Sequence, residues 1–140
     1  MTVQDYPAVV ALWARTSGIA LNDYDDSEQR IAAYLQRNPT TCFVCEEDDE
    51  VIGVILAGHD GRRGFIYHVA VDQKRRGEGI GTALLNTAVE ALKAQGIHKA
   101  GMLVIAGNTD GNTYWEKRGW ERRTDVYYRN KLLNEKKDAE

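Results

Sequence analysis

A glycine-rich turn between two strongly patterned segments constrains the fold of this chain more than any other feature. The segment before the turn, residues 65–71, is rich in β-branched and aromatic side chains, which is typical of a β-strand. The segment after it, residues 80–92, repeats apolar side chains at helical spacing along one face. A strand that passes through glycines directly into a helix is half of a βαβ unit. The sequence therefore predicts a mixed α/β sheet with such a unit at its centre.

The turn itself has the chemistry of an anion-binding site. Gly77, Gly79 and Gly81 leave backbone N–H groups uncovered, and the start of a helix adds unpaired donors and the positive end of its dipole. Residues 74–76, Lys-Arg-Arg, add three cations beside it. The turn lacks the lysine that a Walker loop needs before Thr82, and its glycine spacing differs from the dinucleotide-binding fingerprint. It predicts a site for a phosphate or pyrophosphate.

The rest of the chain alternates between helical and strand patterns. Two helices are predicted first, over residues 5–15 and from a cap at residues 26–29 to Asn38, where Pro39 follows. The remaining predicted elements are strands over residues 41–45, 51–57, 65–71, 99–106 and 125–132 and a short helix over residues 108–117. We expect one domain over residues 1–133 and a frayed polar tail over residues 134–140.

Three motifs in this order resemble the GNAT family of N-acetyltransferases. Residues 76–81, Arg-Gly-Glu-Gly-Ile-Gly, resemble the family's Gln/Arg-x-x-Gly-x-Gly/Ala loop, and residues 69–71 resemble its fourth strand. Residues 108–120 resemble its later motif, Asn-x-x-Ala-x-x-Phe/Leu-Tyr-x-x-x-Gly-Phe. Residues 58–64 resemble a small bacterial subgroup of unassigned substrate. The resemblance covers about residues 50–132 and implies a mostly antiparallel sheet with splayed central strands and flanking helices. The family's first strand is short or absent here.

The resemblance implies that acetyl-CoA is the co-substrate. The loop would hold its pyrophosphate, the backbone of Val69 and Val71 would pair with the pantetheine amides, and Asn108 would hold the arm from the far side. The implied cofactor-binding residues are Val69, Ala70, Val71, Arg76, Gly77, Glu78, Gly79, Ile80, Gly81, Thr82, Asn108 and Trp115. No metal is expected, because the three histidines show no metal-ligand spacing.

The sequence offers alternatives for the catalytic acid and base. The family's acid is a tyrosine four residues before the late glycine, but that position is Trp115, whose indole N–H cannot supply a proton at neutral pH. Tyr114 is one residue earlier, and a thiolate can also leave without a protein acid. For the base, strand alternation favours Tyr67 and chemistry favours His68, and a β-bulge would reverse the alternation. Both residues can equally be ordinary packed strand residues.

The resemblance also implies that the connection between the first two helices builds the acceptor side. Asp23 and Tyr24 lie in a segment with three carboxylates and one aromatic ring, which suits a cationic amine. Asp60 lies at the turn before the strand at residues 65–71. Capping and solvation explain the same residues. The sequence leaves the acceptor open between a small cationic amine, a peptide N-terminus and a lysine. It also leaves open a non-catalytic acyl-CoA-binding sensor.

The composition indicates which classes of partner and which cellular location to expect. Eighteen basic and 21 acidic residues give a net charge of −3, which argues against a nucleic-acid binder. No apolar run approaches the ~20 residues of a membrane span, and the N-terminus lacks the pattern of a signal peptide. Two cysteines are too few for a disulfide framework. We therefore expect a cytoplasmic protein with no membrane or nucleic-acid partner, and a possible homodimer through the strand at residues 125–132.

Overall fold

The computed structural model describes residues 1–134 and confirms the mixed α/β class. Its helices and strands are α1 (Tyr6–Ala14), α2 (Glu28–Arg37), β1 (Phe43–Glu47), β2 (Glu50–His59), β3 (Gly64–Val71), α3 (Ile80–Ala94), β4 (Ala100–Met102) and α4 (Thr109–Lys117). The four strands form one sheet in chain order. The first three pair antiparallel, and β3 pairs parallel with β4 through the α3 crossover. Of the tail predicted at residues 134–140, all but Asn134 lies outside the described residues.

The helix ends follow local chemistry. Ser27 caps α2 by accepting the Arg30 N–H at 3.3 Å, and Asn38 follows the helix. A short 3-10 turn, Val3–Asp5, leads into α1, so no strand precedes the first helix in residues 1–134. This agrees with the expectation that the family's first strand is short or absent. Gly96, in the left-handed region at φ +80°, follows the end of α3.

The sheet is covered on both faces, and each face has its own apolar core. Helices α1 and α2 pack on one face, and α3 packs on the other. Alternate residues of β2 divide between the two cores, since Val54 and Leu56 join the first and Ile55 and Ala57 the second. The sheet is therefore fully sandwiched at β2, which explains why that strand is a continuous apolar run.

A β-bulge in β3 changes which residues share a face. Leu56 pairs with His68, and Ala57 pairs with Ile66, so Tyr67 has no partner on β2. Ile66 packs in the α3-side core, whereas His68 contacts Trp13 in the α1-side core. The simple alternation that groups Tyr67 with Val69 and Val71 is therefore wrong, and the bulged alternative is correct.

The structure corrects two predicted strands near the C-terminus. The strand predicted over residues 99–106 is only Ala100–Met102, and residues 125–132 form no strand. Their apolar and polar residues do alternate, but within residues 1–134 no backbone ladder pairs with them, and Tyr127 is 89% exposed. A homodimer paired through this segment stays a prediction.

Asn38 offers a test of how α2 is joined to the sheet. Its Oδ1 accepts the His59 N–H at 3.0 Å, and its Nδ2 donates to the Tyr34 carbonyl at 3.3 Å, while only 5% of the residue is exposed. Asn38→Ala should lower the free energy of unfolding by about 1–3 kcal/mol, because it leaves buried polar groups unpaired. Denaturant titration measures this loss. Asn86→Ala, on the exposed side of α3, is the control and should cost nothing; equal stabilities for the two variants would contradict the account.

Candidate functional site

The glycine turn leaves its backbone open on the outside. Gly77 and Gly79 have φ values of +82° and +84°, the left-handed region that glycine adopts without steric cost. Among the described residues, no atom apart from those of the glycine and its two chain neighbours lies within 4 Å of the position that a Cβ would take at Gly77 or Gly79. The turn is therefore shaped so that a ligand can approach its main chain closely.

The first turn of α3 directs N–H groups to the same place. The first helical hydrogen bond runs from Ala83 N–H to the Gly79 carbonyl at 3.0 Å. The N–H groups of Ile80, Gly81 and Thr82 therefore have no partner within the helix. Together with the positive end of the helix dipole, they form a site suited to an anion.

The cations beside the turn are fewer than the sequence suggests. Arg75 donates to both oxygens of Glu78, at 2.9 and 3.0 Å, and to Glu47 Oε2 at 2.6 Å. The Arg75 guanidinium holds the pKa of the Glu78 carboxyl below its usual value, so Glu78 stays charged. Arg75 is thus committed to carboxylates. Lys74 and Arg76 are exposed and remain as positive charges on the turn.

Arg118 on the adjacent α4 side adds a cation that the sequence analysis did not identify. Its guanidinium carbon lies 3.6 Å from the centre of the Tyr114 ring, and its Nη2 donates to Thr82 Oγ1 at 3.3 Å. The Tyr114 hydroxyl is 3.0 Å from the same Thr82 oxygen. Within residues 1–134, Arg118 has no carboxylate partner. Tyr114 and Arg118 therefore lie at the N-terminus of α3, beside the anion site.

Asn108 and Trp115 have well-defined structural partners. Asn108 Oδ1 caps α4 by accepting the Gly111 N–H at 3.0 Å, and its Nδ2, close to Gly18, donates to no acceptor among residues 1–134. Trp115 packs against the α3-side core and makes edge contacts with Tyr114 and Trp120. Trp115 thus helps attach α4 to the sheet.

An unpaired strand edge leads from the middle of the sheet to the glycine turn. The β3–β4 pairing covers only Gly64–Ile66, so within residues 1–134 β3 has no neighbouring strand on that side beyond Ile66. Asp72 N–H donates to the Ile52 carbonyl at 2.8 Å, and hydrogen-bonded pairs alternate with non-bonded pairs along an antiparallel ladder. The next hydrogen-bonded pairs between β3 and β2 are therefore Ala70 with Val54 and His68 with Leu56. The N–H and C=O groups of Val69 and Val71 therefore point away from β2, towards the side where β3 is not paired with β4, whereas those of Ala70 pair with β2.

His68 faces the connection between α1 and α2 and pairs with a carboxylate there. Its Nε2 lies 2.9 Å from Asp26 Oδ1, and the two side chains are only 12% and 14% exposed. Asp26 Oδ2 accepts the Asn22 N–H at 2.9 Å, and the Asp26 carbonyl accepts the Tyr6 hydroxyl at 2.8 Å. The sequence predicts Asp26 only as part of a helix cap and of an acidic loop, because 42 residues separate it from His68.

Tyr67 and the exposed residues of the α1–α2 connection, Asp23, Tyr24 and Asp25, lie next to the His68–Asp26 pair and are called the mouth of the site. Tyr67 is 54% exposed and contacts the Tyr34 and Phe65 rings. Burial, with smaller contributions from Tyr128 and Asp25, raises the pKa of Tyr67, so its hydroxyl is protonated at neutral pH. Tyr67 is therefore a poor proton acceptor at neutral pH.

The remaining predicted acceptor residues are placed differently from one another. Asp23 and Tyr24 lie in the exposed turn of the α1–α2 connection, where the Asn22 side chain accepts the Tyr24 N–H at 3.0 Å. Asp60 lies in the β2–β3 turn and accepts the N–H groups of Arg62 and Arg63, which lower the pKa of its carboxyl. Asp60 is thus already engaged in forming its own turn.

Other candidate chemistries find no support in residues 1–134. No group of three His, Cys, Asp or Glu side chains is arranged there to hold a metal ion. Burial raises the pKa of the Cys42 thiol, which donates to the Ala57 carbonyl. None of the helices described is both long and apolar enough to cross a membrane.

Comparison with known proteins identifies relatives of this chain. Residues 6–120 match the model of the acetyltransferase (GNAT) family. Acetyltransferase SG1711 from Sodalis glossinidius is 33% identical over 131 residues, which are 94% of this chain and 91% of that protein. Ard1 from Thermoplasma volcanium has a similar structure, with a TM-score of 0.74 at 18% identity over 85% of this chain and 78% of that one. The PaiA N-acetyltransferase from Thermoplasma acidophilum, solved in complex with coenzyme A, has a TM-score of 0.71 at 17% identity over 85% of each chain.

Inorganic pyrophosphate tests the anion site without any assumption about the reaction. Arg118→Gln should weaken its binding about fivefold, since an exposed cation contributes about 1 kcal/mol to such a contact. Lys93→Gln removes the same charge near the other end of α3 and should leave binding unchanged. Calorimetric titration measures both, and equal losses would show that only the net charge matters.

Proposed function

The chain belongs to the acetyltransferase (GNAT) family, and from that premise we propose that it transfers an acetyl group from acetyl-CoA to a primary amine by direct attack in a ternary complex. One observation carries the proposal. An unpaired strand edge joins the anion site at the glycine turn to a partly buried histidine that faces the acceptor loop. The same edge thus offers a path for a long, phosphorylated ligand and brings its far end towards a proton acceptor.

The residues present suit acetyl-CoA along that path. The N–H groups of the turn and of Ile80, Gly81 and Thr82 would hold its pyrophosphate, with Arg118 as an additional cation. The backbone groups of Val69 and Val71 would pair with the amides of the arm, and Asn108 Nδ2 would donate from the opposite side. In this proposal Glu78 contributes through its backbone only, since its carboxylate is bound by Arg75.

The chemistry needs a base more than an acid. Acetyl-CoA supplies the thioester carbonyl that the amine attacks and a thiol that can leave as a thiolate near neutral pH. The amine arrives as an ammonium and must lose a proton before it can attack, and His68 would accept that proton. Tyr114 is held at the start of α3 and Trp115 is an N–H donor only, so this proposal assigns neither the role of acid.

The mouth favours a cationic acceptor. Asp23 and Asp25 carry negative charge there, and the exposed rings of Tyr24 and Tyr67 add faces that attract cations. We propose a small cationic amine, and a peptide N-terminus or a lysine side chain would present the same ammonium group. Assay of all three kinds of acceptor decides among them.

The alternative function is an acyl-CoA-binding module without turnover. The tryptophan at the position of the family's acid and the limited exposure of His68 favour it. Release of free CoA from acetyl-CoA that depends on an added amine would exclude this alternative.

Ligand-dependent stability provides the first test of the proposal. Acetyl-CoA and CoA, at about 100 times their dissociation constants, should each add about 2.7 kcal/mol to the free energy of unfolding. For a domain of this size that raises Tm by several degrees. Thermal unfolding with ATP and with NADH serves as the control and should show no shift. Stabilisation by ATP or NADH alone, or by none of the four, would overturn the proposed cofactor.

Gly79→Ala separates the loss of binding from the loss of stability. A left-handed alanine costs about 1–2 kcal/mol, so the variant should be less stable. It should also raise the dissociation constant of acetyl-CoA about tenfold, because strain at residue 79 shifts the turn, which then loses one charge-assisted hydrogen bond to the pyrophosphate. Gly96→Ala is the matched control, since Gly96 has φ +80° and open space around its Cβ position but lies at the other end of α3. Equal affinities in the two variants would mean that the turn does not bind the cofactor.

A further inference from the structure

We propose that Asp26 is a positioning residue, which keeps the His68 ring in the tautomer whose Nδ1 accepts a proton. This inference rests on the proposed function and extends it to a residue outside the motifs that resemble the family. The contact joins two separate elements, since Asp26 belongs to the α1–α2 connection and His68 to β3. Both side chains are more than four-fifths buried, so water competes poorly for the hydrogen bond between them.

The hydrogen bond decides the tautomer. An ionised carboxylate can only accept hydrogen bonds, so the Nε2 that faces Asp26 Oδ1 at 2.9 Å must carry a proton. In the neutral imidazole the second nitrogen, Nδ1, is then unprotonated and has a lone pair. Within residues 1–134 no donor is bonded to this Nδ1. The ring is therefore prepared to accept a proton at that atom.

Three further contacts hold the pair in place. Asp26 Oδ2 accepts the Asn22 N–H, and the Tyr6 hydroxyl donates to the Asp26 carbonyl. On the other side of the pair, the Trp13 and His68 rings make a T-shaped contact with ring centres 4.9 Å apart. The backbone of Asp26 is thus fixed from α1 and its carboxylate from its own loop, while the imidazole is packed against a core side chain.

The proton transfer is balanced within the proposed reaction. One N–H bond of the acceptor ammonium breaks, its proton bonds to Nδ1, and its electron pair stays on the amine nitrogen to attack the thioester carbonyl. The resulting imidazolium is stabilised by the Asp26 carboxylate, which keeps its own charge. Asp23, Tyr24 and Asp25 lie in the same connection as Asp26. The loop that meets the acceptor therefore also orients the base.

Asp26→Asn is the informative substitution because the structure predicts how the amide will orient. The Asn22 N–H is a donor, so the new amide must turn its oxygen towards it and its NH2 towards His68. That NH2 donates to Nε2 and moves the ring proton to Nδ1, which removes the base with little change in shape. We expect kcat to fall about 10²–10³-fold with the KM for acetyl-CoA unchanged. His68→Ala should give a similar loss, and the double variant should lose no more than either single one.

A series of acceptors distinguishes positioning of the base from general damage to the site. Amines that are already neutral at the assay pH need no proton removed before attack, so the loss in Asp26→Asn should largely disappear with them. A damaged site would lose activity equally with every amine. Asp49→Asn is the matched control, since it lies in the β1–β2 turn in a left-handed conformation that asparagine accepts, and it should behave as wild type.

A spectroscopic readout keeps this test separate from the proposed function. In protein labelled with ¹⁵N-histidine, the wild type should show His68 protonated at Nε2, and Asp26→Asn should show it protonated at Nδ1, with His68→Ala identifying the signal among the three histidines. Either an unchanged tautomer in Asp26→Asn or a loss that is the same for all amines would overturn the inference. If the tautomer switches as expected but the wild type transfers acetyl to no amine, the proposed function fails and the assignment of the tautomer survives.

Discussion

The site depends on the point where β3 and β4 stop pairing. The two strands are neighbours only from Gly64 to Ile66, and in the part of the chain that the structure describes no strand pairs with the backbone groups of Val69 and Val71 beyond that point. Unpaired backbone groups inside a protein are costly, so a fold keeps them only where water or a ligand satisfies them. The βαβ crossover that follows brings the N-terminus of α3 to the end of this edge. A single interruption of the sheet thus produces both a path for a ligand and a site for its charged end.

The fold was largely predictable because its signals are local. Periodicity located α1 to α4 and β1 to β3 within a few residues, and the glycine turn identified the central crossover. The errors came where partners decide the structure. Residues 125–132 have the alternation of a strand, but alternation cannot supply the neighbouring backbone that makes one. The bulge at Tyr67 is likewise set by the pairing with β2, so the sequence of β3 could only suggest it.

The candidate site was predictable in part, and the unpredicted residues share a reason. The spacing of the glycines and of the apolar residues in α3 predicts the anion site, but it does not predict which charged side chains surround that site. Arg75 looks like a ligand for phosphate and is bound by two carboxylates, one of them 28 residues away, whereas Arg118 is brought in from 36 residues beyond Thr82. Asp26 has the appearance of a capping residue until β3 places His68 against it. The tertiary fold decides which charged side chains become partners, so a single sequence does not predict these pairs.

The bulge in β3 has a consequence for how this protein can change over evolutionary time. The pairs on either side of Tyr67 would become consecutive if that residue were deleted, so both apolar cores are in register without it. The pairing of β3 with β2 therefore does not require residue 67, and its side chain lies at the exposed mouth. Selection on the acceptor can vary this residue with little penalty to folding, while His68, one position along, is fixed by its neighbours in the core.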